Sequence, residues 1–167
     1  MAVLIGGQSK AYDLTASRME KLAGQLLELT TRHGAGLVVT TSRRTGKENE
    51  AILRRILADT DAQIWDGTGE NPYVGMLGSA DYIVVTEDSA SMVSEACFTG
   101  KPVYVARMEG GSKRFDAMHR QFLASGYTRM FEGNLEHWDS QPLDETRRIA
   151  AIVRERTASH DCKGSNR

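Results

Sequence analysis

Short apolar runs alternate with longer amphipathic segments along most of this 167-residue chain, and this alternation restricts the fold more than any other feature. Five runs rich in β-branched residues predict strands: AVLIG, GLVVTTS, AQIWDG, DYIVVT and PVYVARM. Apolar residues at helical spacing predict helices, most clearly over residues 15–32, 89–98, 112–125 and 143–156. Strands that alternate with helices form right-handed βαβ units, which build a parallel sheet covered on both faces. We therefore expect a Rossmann-like α/β domain of three layers with about five strands.

The composition is that of a globular domain and excludes several classes of protein. Hydrophobic residues make up 40% of the chain, charged residues 26%, and the formal net charge is -1, so the basic excess of a nucleic-acid-binding protein is missing. No apolar run reaches the roughly 18 residues of a transmembrane helix, and the N-terminus lacks a signal-peptide pattern. With two cysteines, Cys97 and Cys162, we expect a cytoplasmic protein rather than a disulfide-bonded secreted one. The domain is expected to span residues 1–158, with a polar tail over residues 159–167.

Ligands of parallel α/β sheets bind at the carboxyl ends of the strands. Five segments that follow the predicted strands contain glycine, hydroxyl or basic residues: GGQSKAY, TSRRTGK, DGTGENP, TEDSAS and MEGGSKR. In the first segment, Gly6, Gly7 and Ser9 are candidates for binding an anion, because glycine permits close backbone approach and helix N-termini attract negative charge. The G-x-G-x-x-G dinucleotide pattern is absent, and a tight turn explains the glycines equally well.

Basic residues follow two of the predicted strands. Ser42, Arg43 and Arg44 come after the second strand, and arginine forks suit the geometry of phosphate. Positive charge at a helix start opposes the helix dipole, which favours a ligand-binding role over a solvated charge pair. Lys113 lies at a further helix start, in the glycine-containing segment EGGSKRF, and is also a candidate for binding phosphate.

The stretch DSASMVSEACF combines hydroxyl and acidic residues at a helix start. Ser89 is expected to cap this helix. Neither Ser89 nor Ser91 has a glutamate three residues later, so the capping box does not explain Glu95. Because Glu95 shares a helix side with Ser91 and Met92, we interpret it as the acceptor for two ribose hydroxyls. Ser89 and Ser91 would then bond phosphate oxygens beside the helix N-terminus.

Other chemistry has less support in the sequence. Three histidines have no partners at metal-ligand spacing, so we predict no metal site: His33, His137 and His160. No nucleophile motif is present, and His119 is interpreted as an ordinary helix residue. The segment WDGTGENPY either brackets a nucleobase or forms a turn before a helix, with Asn71 as N-cap and Pro72 as first helical residue. The second interpretation is favoured.

Several of these stretches together resemble a known family. GGQSK, VVTTSRRT, WDGTGENPY, DSASMVSEACFTGKPVYV and EGGSKRF resemble a bacterial family related to the plant "elongated mitochondria" fission factor, often described as nucleoside-diphosphate-sugar epimerase-like. The likeness runs from about Val3 to Arg156. More distantly, the layout is similar to the C-terminal, donor-binding half of GT-B glycosyltransferases such as MurG. This resemblance implies a ribose-binding role for Glu95, nucleotide and phosphate contacts for Ser89, Ser91 and Met92, and a first glycine loop made by Gly6, Gly7 and Ser9.

The resemblance implies a donor-binding domain of a glycosyltransferase-like protein, with a nucleoside-diphosphate sugar as donor substrate and no separate cofactor. GT-B enzymes also have an N-terminal acceptor domain, so the resemblance implies that this domain is missing here and that the chain alone is incomplete for catalysis. The glutamines that many GT-B enzymes use on the donor sugar have no match in EGGSKRF, which leaves the activity of the whole protein open. Two alternatives remain: a non-hydrolysing sugar epimerase with His119 and Glu109 as acid–base candidates, and a non-catalytic scaffold. Nucleic acid is not expected as a partner, and peripheral contact with a membrane is left open.

Overall fold

A six-stranded parallel sheet forms the centre of the computed structural model, which describes residues 1–164. The strands in chain order are β1 (Ala2–Ile5), β2 (Tyr12–Asp13), β3 (Val38–Thr41), β4 (Gln63–Ile64), β5 (Ile83–Thr86), β6 (Val103–Ala106), β7 (Glu109–Gly110) and β8 (Thr128–Met130). The central sheet has the order β4-β3-β1-β5-β6-β8. The chain moves outward from β1 to β4 and then returns to β5 on the other side of β1. This reversal of strand order makes the carboxyl ends of β1 and β5 the topological switch point, where such sheets bind ligands.

The helices of residues 1–164 are α1 (Ala16–His33), α2 (Lys47–Ile56), α3 (Tyr73–Ser79), α4 (Ala90–Phe98), α5 (Lys113–Ala124) and α6 (Glu145–Gly164). Thr15 caps α1 through its hydroxyl, and Gly34 ends it in the left-handed conformation at φ 62°. Helix α3 begins one residue later than predicted. Pro72 is its cap and Tyr73 its first residue, while the Asn71 side chain accepts the Tyr73 N–H at 3.0 Å. Asn71 therefore satisfies a backbone donor of this helix although it is not the N-cap.

Side chains of the central strands alternate between two cores, one on each face of the sheet. Val3 and Ile5 of β1 pack in the core that α1 and α2 cover, whereas Ala2 and Leu4 pack in the core that α3 and α4 cover. Strands β1, β5 and β6 are buried on both faces, which explains their continuous apolar sequences. The predicted Rossmann-like α/β fold with a parallel sheet is confirmed.

Three features extend the predicted architecture. The edge strand β8 is a sixth strand that the prediction missed, since the sequence TRM is short and contains a charged residue. Strands β2 and β7 form an antiparallel ribbon of two residues each, too short to give a periodic signal. Helix α6 continues to Gly164, past the predicted end at Arg156 and into the predicted tail, whose residues 165–167 lie outside the described part of the chain. No helix of the described residues is long and apolar enough to cross a membrane.

Candidate functional site

The glycine loop after β1 is packed tightly against the end of β5. The Gly6 N–H donates to Thr86 Oγ1 at 2.8 Å, and the Gly7 N–H donates to Asp88 Oδ2 at 3.1 Å. A Cβ on Gly6 would lie 2.1 Å from Asp88 Oδ1, and one on Gly7 would lie 2.0 Å from the Arg44 carbonyl oxygen. Both residues are therefore glycine because neighbouring atoms leave no room for a side chain. The two N–H groups that the sequence suggests for an anion are already bonded within the protein.

A buried carboxylate joins the carboxyl ends of three strands. The Asp88 side chain is fully buried, forms an ion pair with Arg44 Nη2 at 2.8 Å and accepts the Thr86 hydroxyl at 2.7 Å. Thr45, which is also buried, donates its hydroxyl to the Gly6 carbonyl. Arg44, predicted to bind phosphate, thus has its charge balanced by a residue of the protein itself. The guanidinium side chain remains 42% exposed, so its outer edge faces solvent.

The other predicted residues of the first two loops have separate positions. Ser9 Oγ accepts the N–H groups of Ala11 and Tyr12, at 3.2 and 3.0 Å, and so shapes the turn into β2. Ser42 Oγ accepts the Arg44 N–H at 3.2 Å inside the turn after β3. Arg43 is exposed and makes no ion pair with any residue that the structure describes. Of these residues, Arg43 alone keeps a charged group free for a ligand.

The start of α4 has the capping that the sequence predicts. Ser89 is the N-cap, and its Oγ accepts the Met92 N–H at 3.4 Å. Ser91 and Glu95 are exposed one turn apart, and Met92 is half-buried between them. The Tyr73 hydroxyl, at the start of α3, donates to Glu95 Oε2 at 2.5 Å. Burial and this hydrogen bond raise the pKa of Tyr73, which stays protonated as the donor.

The start of α5 contributes a second capped helix end to the same rim. Ser112 is the N-cap and accepts the Phe115 N–H at 3.4 Å, while Lys113 is exposed in the first turn. Glu87, which follows β5, links this helix to α4: its Oε1 accepts the Met108 N–H at 2.5 Å, and its carbonyl oxygen lies 2.8 Å from His119 Nε2. Lys113 and Ser91 therefore lie on neighbouring helix starts at one edge of the sheet.

The ring of Tyr12 packs against the start of α5. It is almost completely buried in the ribbon strand β2 and packs edge-on against Phe115, with ring centroids 5.2 Å apart. Burial, followed by the nearby carboxylates of Glu87, Asp116 and Asp88, raises the pKa of Tyr12 to about 12. The ribbon thus places a neutral aromatic residue against the start of α5.

The segment between β4 and α3 is held by its own hydrogen bonds. Trp65 Nε1 donates to the Thr68 carbonyl at 2.9 Å, and Asp66 Oδ1 accepts both the hydroxyl and the N–H of Thr68. These hydrogen bonds lower the pKa of Asp66. The segment makes a turn and a helix start, the favoured interpretation, and in doing so it positions Tyr73 against Glu95.

The sequence did not reveal two contacts of this site, Tyr73 with Glu95 and Arg44 with Asp88. In both, the partners come from different βα units, and no spacing rule links them. The position of Tyr73 directly after Asn71-Pro72 was the one usable signal, because a residue in the first turn of a helix at this edge faces the rim. Among residues 1–157, whose side chains are described, no group of histidine, cysteine and acidic residues could hold a metal ion.

Solved structures with the same fold include three structures of UDP-GlcNAc 2-epimerases, from two organisms. The chain superposes on one from Methanocaldococcus jannaschii, in complex with UDP-GlcNAc and UDP, with a TM-score of 0.61 and 15% identity over 92% of this chain and 45% of that one. A second structure from that organism gives a TM-score of 0.58 and 16% identity over 80% and 35%. The Neisseria meningitidis enzyme, bound to UDP-GlcNAc, gives 0.56 and 17% over 77% and 32%. At these identities the likeness establishes the fold alone.

Two curated relatives are more similar in sequence to this chain than the solved structures are. The mitochondrial fission protein ELM1 of Arabidopsis thaliana is 31% identical over 147 residues, which is 86% of this chain and 34% of that protein. The Rickettsia prowazekii protein RP120 is 28% identical over 161 residues, 92% of this chain and 45% of that protein. The chain therefore spans less than half the length of these relatives. Residues 1–157 match the model of the family described as "Mitochondrial fission ELM1", so the resemblance inferred from the sequence is confirmed. The chain belongs to the mitochondrial fission ELM1 family.

Proposed function

We propose that this domain binds a nucleoside-diphosphate sugar at the carboxyl edge of its sheet, as the donor half of a GT-B-type glycosyltransferase-like protein. The observation that supports this most is the exposed Glu95 carboxylate, which the Tyr73 hydroxyl holds at 2.5 Å one turn inside α4. A carboxylate fixed in this way can accept from the two adjacent hydroxyls of a ribose. The Tyr73 hydrogen bond is enough to orient the Glu95 carboxylate without an ion pair to a protein cation.

The diphosphate would lie at the starts of α4 and α5. Ser91 offers an exposed hydroxyl in the first turn of α4, and the helix dipole favours negative charge there. Lys113 and Arg43 supply positive charge, since neither makes an ion pair within the described residues. Gly7 and Arg44 instead hold the framework of the site together through Asp88, and Gly6 does so through Thr86.

In the whole protein, the donor half would stabilise the leaving group. Glycosyl transfer expels a nucleoside diphosphate, and fixed cations with helix N-termini can stabilise that developing charge without a metal ion. The acceptor and its base would come from the part of the longer relatives that this chain does not match. The isolated domain is therefore expected to bind a nucleotide weakly and to catalyse nothing.

The epimerase alternative is supported by the names of the solved structures with the same fold. Both acid–base candidates of this chain, however, make contacts with other groups of the protein. His119 Nε2 lies 2.8 Å from the Glu87 carbonyl oxygen. Glu109 accepts the Thr15 hydroxyl at 3.1 Å and pairs with Arg18 at 3.5 Å. Each of these two side chains is held by contacts within the protein, and the remaining ring nitrogen of His119 is buried, which favours donor binding over epimerisation.

The scaffold alternative draws on exposed apolar side chains, because such side chains commonly mark protein contacts. Val74 is 78% exposed on α3, and Phe98 is 59% exposed at the end of α4. A scaffold would depend on these side chains and would tolerate loss of Glu95. Comparing Phe98→Ser with Glu95→Gln for nucleotide binding therefore separates the two functions.

Titration calorimetry with UDP, GDP, ADP and their sugars tests the proposal. We expect binding of at least one nucleotide, weakened about tenfold or more by Glu95→Gln, because a hydrogen bond to a charged group contributes about 1.5–3 kcal/mol. Glu48→Gln, which removes an exposed carboxylate from α2, is the matched control and should bind as the parent does. The Glu95→Gln effect should vanish with the 2′,3′-dideoxynucleotide. Absence of binding to every nucleotide, or equal binding to Glu95→Gln and the parent, would refute the proposal.

A further inference from the structure

An apolar cavity of about 430 Å³ lies between the N-terminal halves of α4 and α5. Ala90, the first residue of α4, forms one wall, and Arg114, Phe115 and Met118 of α5 form the other. The three α5 residues fall within about 100° of one another around the helix axis, so they present one continuous face. Pockets of this size and mainly apolar lining are typical of small-molecule sites. We call this space the α4–α5 cavity.

The α4–α5 cavity lies on a different side of α4 from the proposed ribose site. Glu95 is bonded by Tyr73 of α3, whereas α5 supplies the second wall of the cavity. Ala90 and Glu95 are five residues apart, which places them about 140° apart around the helix. The nucleoside part of a ligand held by Glu95 would therefore lie on another side of α4 from the cavity.

The chemistry of the walls selects the kind of group that can enter. Ala90, Phe115 and Met118 offer no hydrogen-bonding side-chain atoms apart from a thioether, so buried sugar hydroxyls would lose their bonds to water without replacement. Met118 is flexible and polarisable, and such side chains adapt to alkyl chains. The cavity therefore accepts hydrocarbon and rejects a hydroxyl-rich ring.

A positive charge lies beside this apolar space. Arg114 lines the cavity, is exposed and makes no ion pair with a described residue. It occupies the first turn of α5, where the helix dipole adds to the attraction for an anion. Phe115 packs edge-on against Tyr12 and lies nearly parallel to the His119 ring, with ring centroids 6.3 Å apart in the second pair. Hydrocarbon space next to an unbalanced guanidinium is complementary to an anionic amphiphile.

We propose that the α4–α5 cavity binds the hydrocarbon chain of a single lipid phosphate, whose head group lies against Arg114. The apolar lining of the cavity and the charge of Arg114 are the observations that support this proposal. That a nucleotide binds on the other side of α4 rests on the proposed function. The ligand class is thus a lipid-linked phosphate taken up as a monomer, with the chain between the two helices and the phosphate at the rim.

Binding of hexyl, octyl and decyl phosphate below their micellar concentrations, measured by titration calorimetry, tests this proposal. Affinity should rise by up to about fourfold for each added methylene until the cavity is full, which corresponds to about 0.8 kcal/mol per buried methylene. Inorganic phosphate should bind far more weakly, and an octyl glucoside of the same chain length should also bind weakly because it lacks the charge.

Two kinds of variant separate the chain from the head group. Met118→Trp should fill the cavity and abolish the dependence on chain length, whereas Leu123→Trp, on an exposed position of the same helix, should leave it unchanged. Met118→Ala should instead shift the preferred chain to a longer one, which keeps the test valid if the tryptophan is not accommodated. Arg114→Gln should weaken all three alkyl phosphates by a similar factor and leave the chain-length slope intact.

The outcomes distinguish this proposal from the proposed function. Equal affinity for all chain lengths, or an unchanged slope in Met118→Trp, would overturn it, as would binding to anionic vesicles without binding to monomeric alkyl phosphate. Alkyl phosphate binding that survives in Glu95→Gln, in a protein that binds no nucleotide, would support the cavity and refute the nucleotide site. Nucleotide binding without alkyl phosphate binding that depends on chain length would support the nucleotide site and refute the lipid site in the cavity.

Discussion

The ion pair between Arg44 and Asp88 gives the sharpest test of how this site is built. Its carboxylate is fully buried, and among the described residues the Arg44 guanidinium is the one cation bonded to it, at 2.8 Å. The Thr86 hydroxyl and the Gly7 N–H also donate to Asp88, at 2.7 and 3.1 Å. Replacing Arg44 by methionine keeps an unbranched side chain but leaves a negative charge buried with two neutral donors.

The expected loss of stability follows from this arrangement. Removing one partner of a buried ion pair typically costs about 3–5 kcal/mol, because the remaining charge has no compensation. The Arg44 side chain is 42% exposed, so water can reach the carboxylate from that side once the guanidinium is gone. We therefore expect a value near the lower end, about 3 kcal/mol, for Arg44→Met. Arg43→Met removes an exposed arginine without an ion pair and should change stability by less than about 0.5 kcal/mol.

Urea unfolding of the parent and the two variants, followed by circular dichroism, measures both effects. With an m value of about 1–3 kcal/mol/M, Arg44→Met should lower the midpoint by about 1 M or more. The double variant Arg44→Met/Asp88→Asn should be more stable than the sum of the single changes indicates, since each single change leaves the other partner unpaired. Equal midpoints for Arg44→Met and Arg43→Met would refute the reasoning, because they would mean that the carboxylate does not need its cation.

Two further predictions concern packing at glycine residues, and a third concerns the reactivity of a buried cysteine. Gly7→Ala should destabilise the fold by at least about 2 kcal/mol in the same urea assay, because its Cβ would lie 2.0 Å from the Arg44 carbonyl oxygen. Gly24→Ala, inside α1, should stabilise it by about 0.5–1 kcal/mol, because outside the adjacent turns of its own helix no atom lies within 4 Å of the new Cβ. A loss of stability in that variant would contradict the packing described. In a Cys162→Ser background, Cys97 should resist alkylation at pH 8 until urea unfolds the protein, because burial raises the pKa of its thiol to about 12. Alkylation at the rate of a free thiol in native buffer would show that α4 opens.

Local patterns were sufficient to predict the fold but not the contacts between its units. The apolar runs of β1 and β5 and the Ser89 cap of α4 are encoded by neighbouring residues, so they could be identified in the sequence. Strand β8 was missed because an edge strand of three residues, one of them Arg129, has neither length nor alternation. Tyr73 and Glu95 are 22 residues apart and meet only when α3 and α4 pack side by side. The predicted ligand role of Glu95 could therefore be formulated, but the hydroxyl that orients it could not.

The buried Asp88 carboxylate favours placing the proposed anion site at the helix starts rather than at the glycine loop. In many α/β proteins a loop after the first strand offers its N–H groups to a phosphate. Here Asp88 accepts the Gly7 N–H, occupies the space beside Gly6 and balances the charge of Arg44. A carboxylate of the protein thus takes the place that a ligand phosphate has elsewhere. Arg43, Lys113 and Arg114 are among the cations that make no ion pair within the described residues, and two of them lie in the first turn of α5. A phosphate bound at that helix start would gain from both charges.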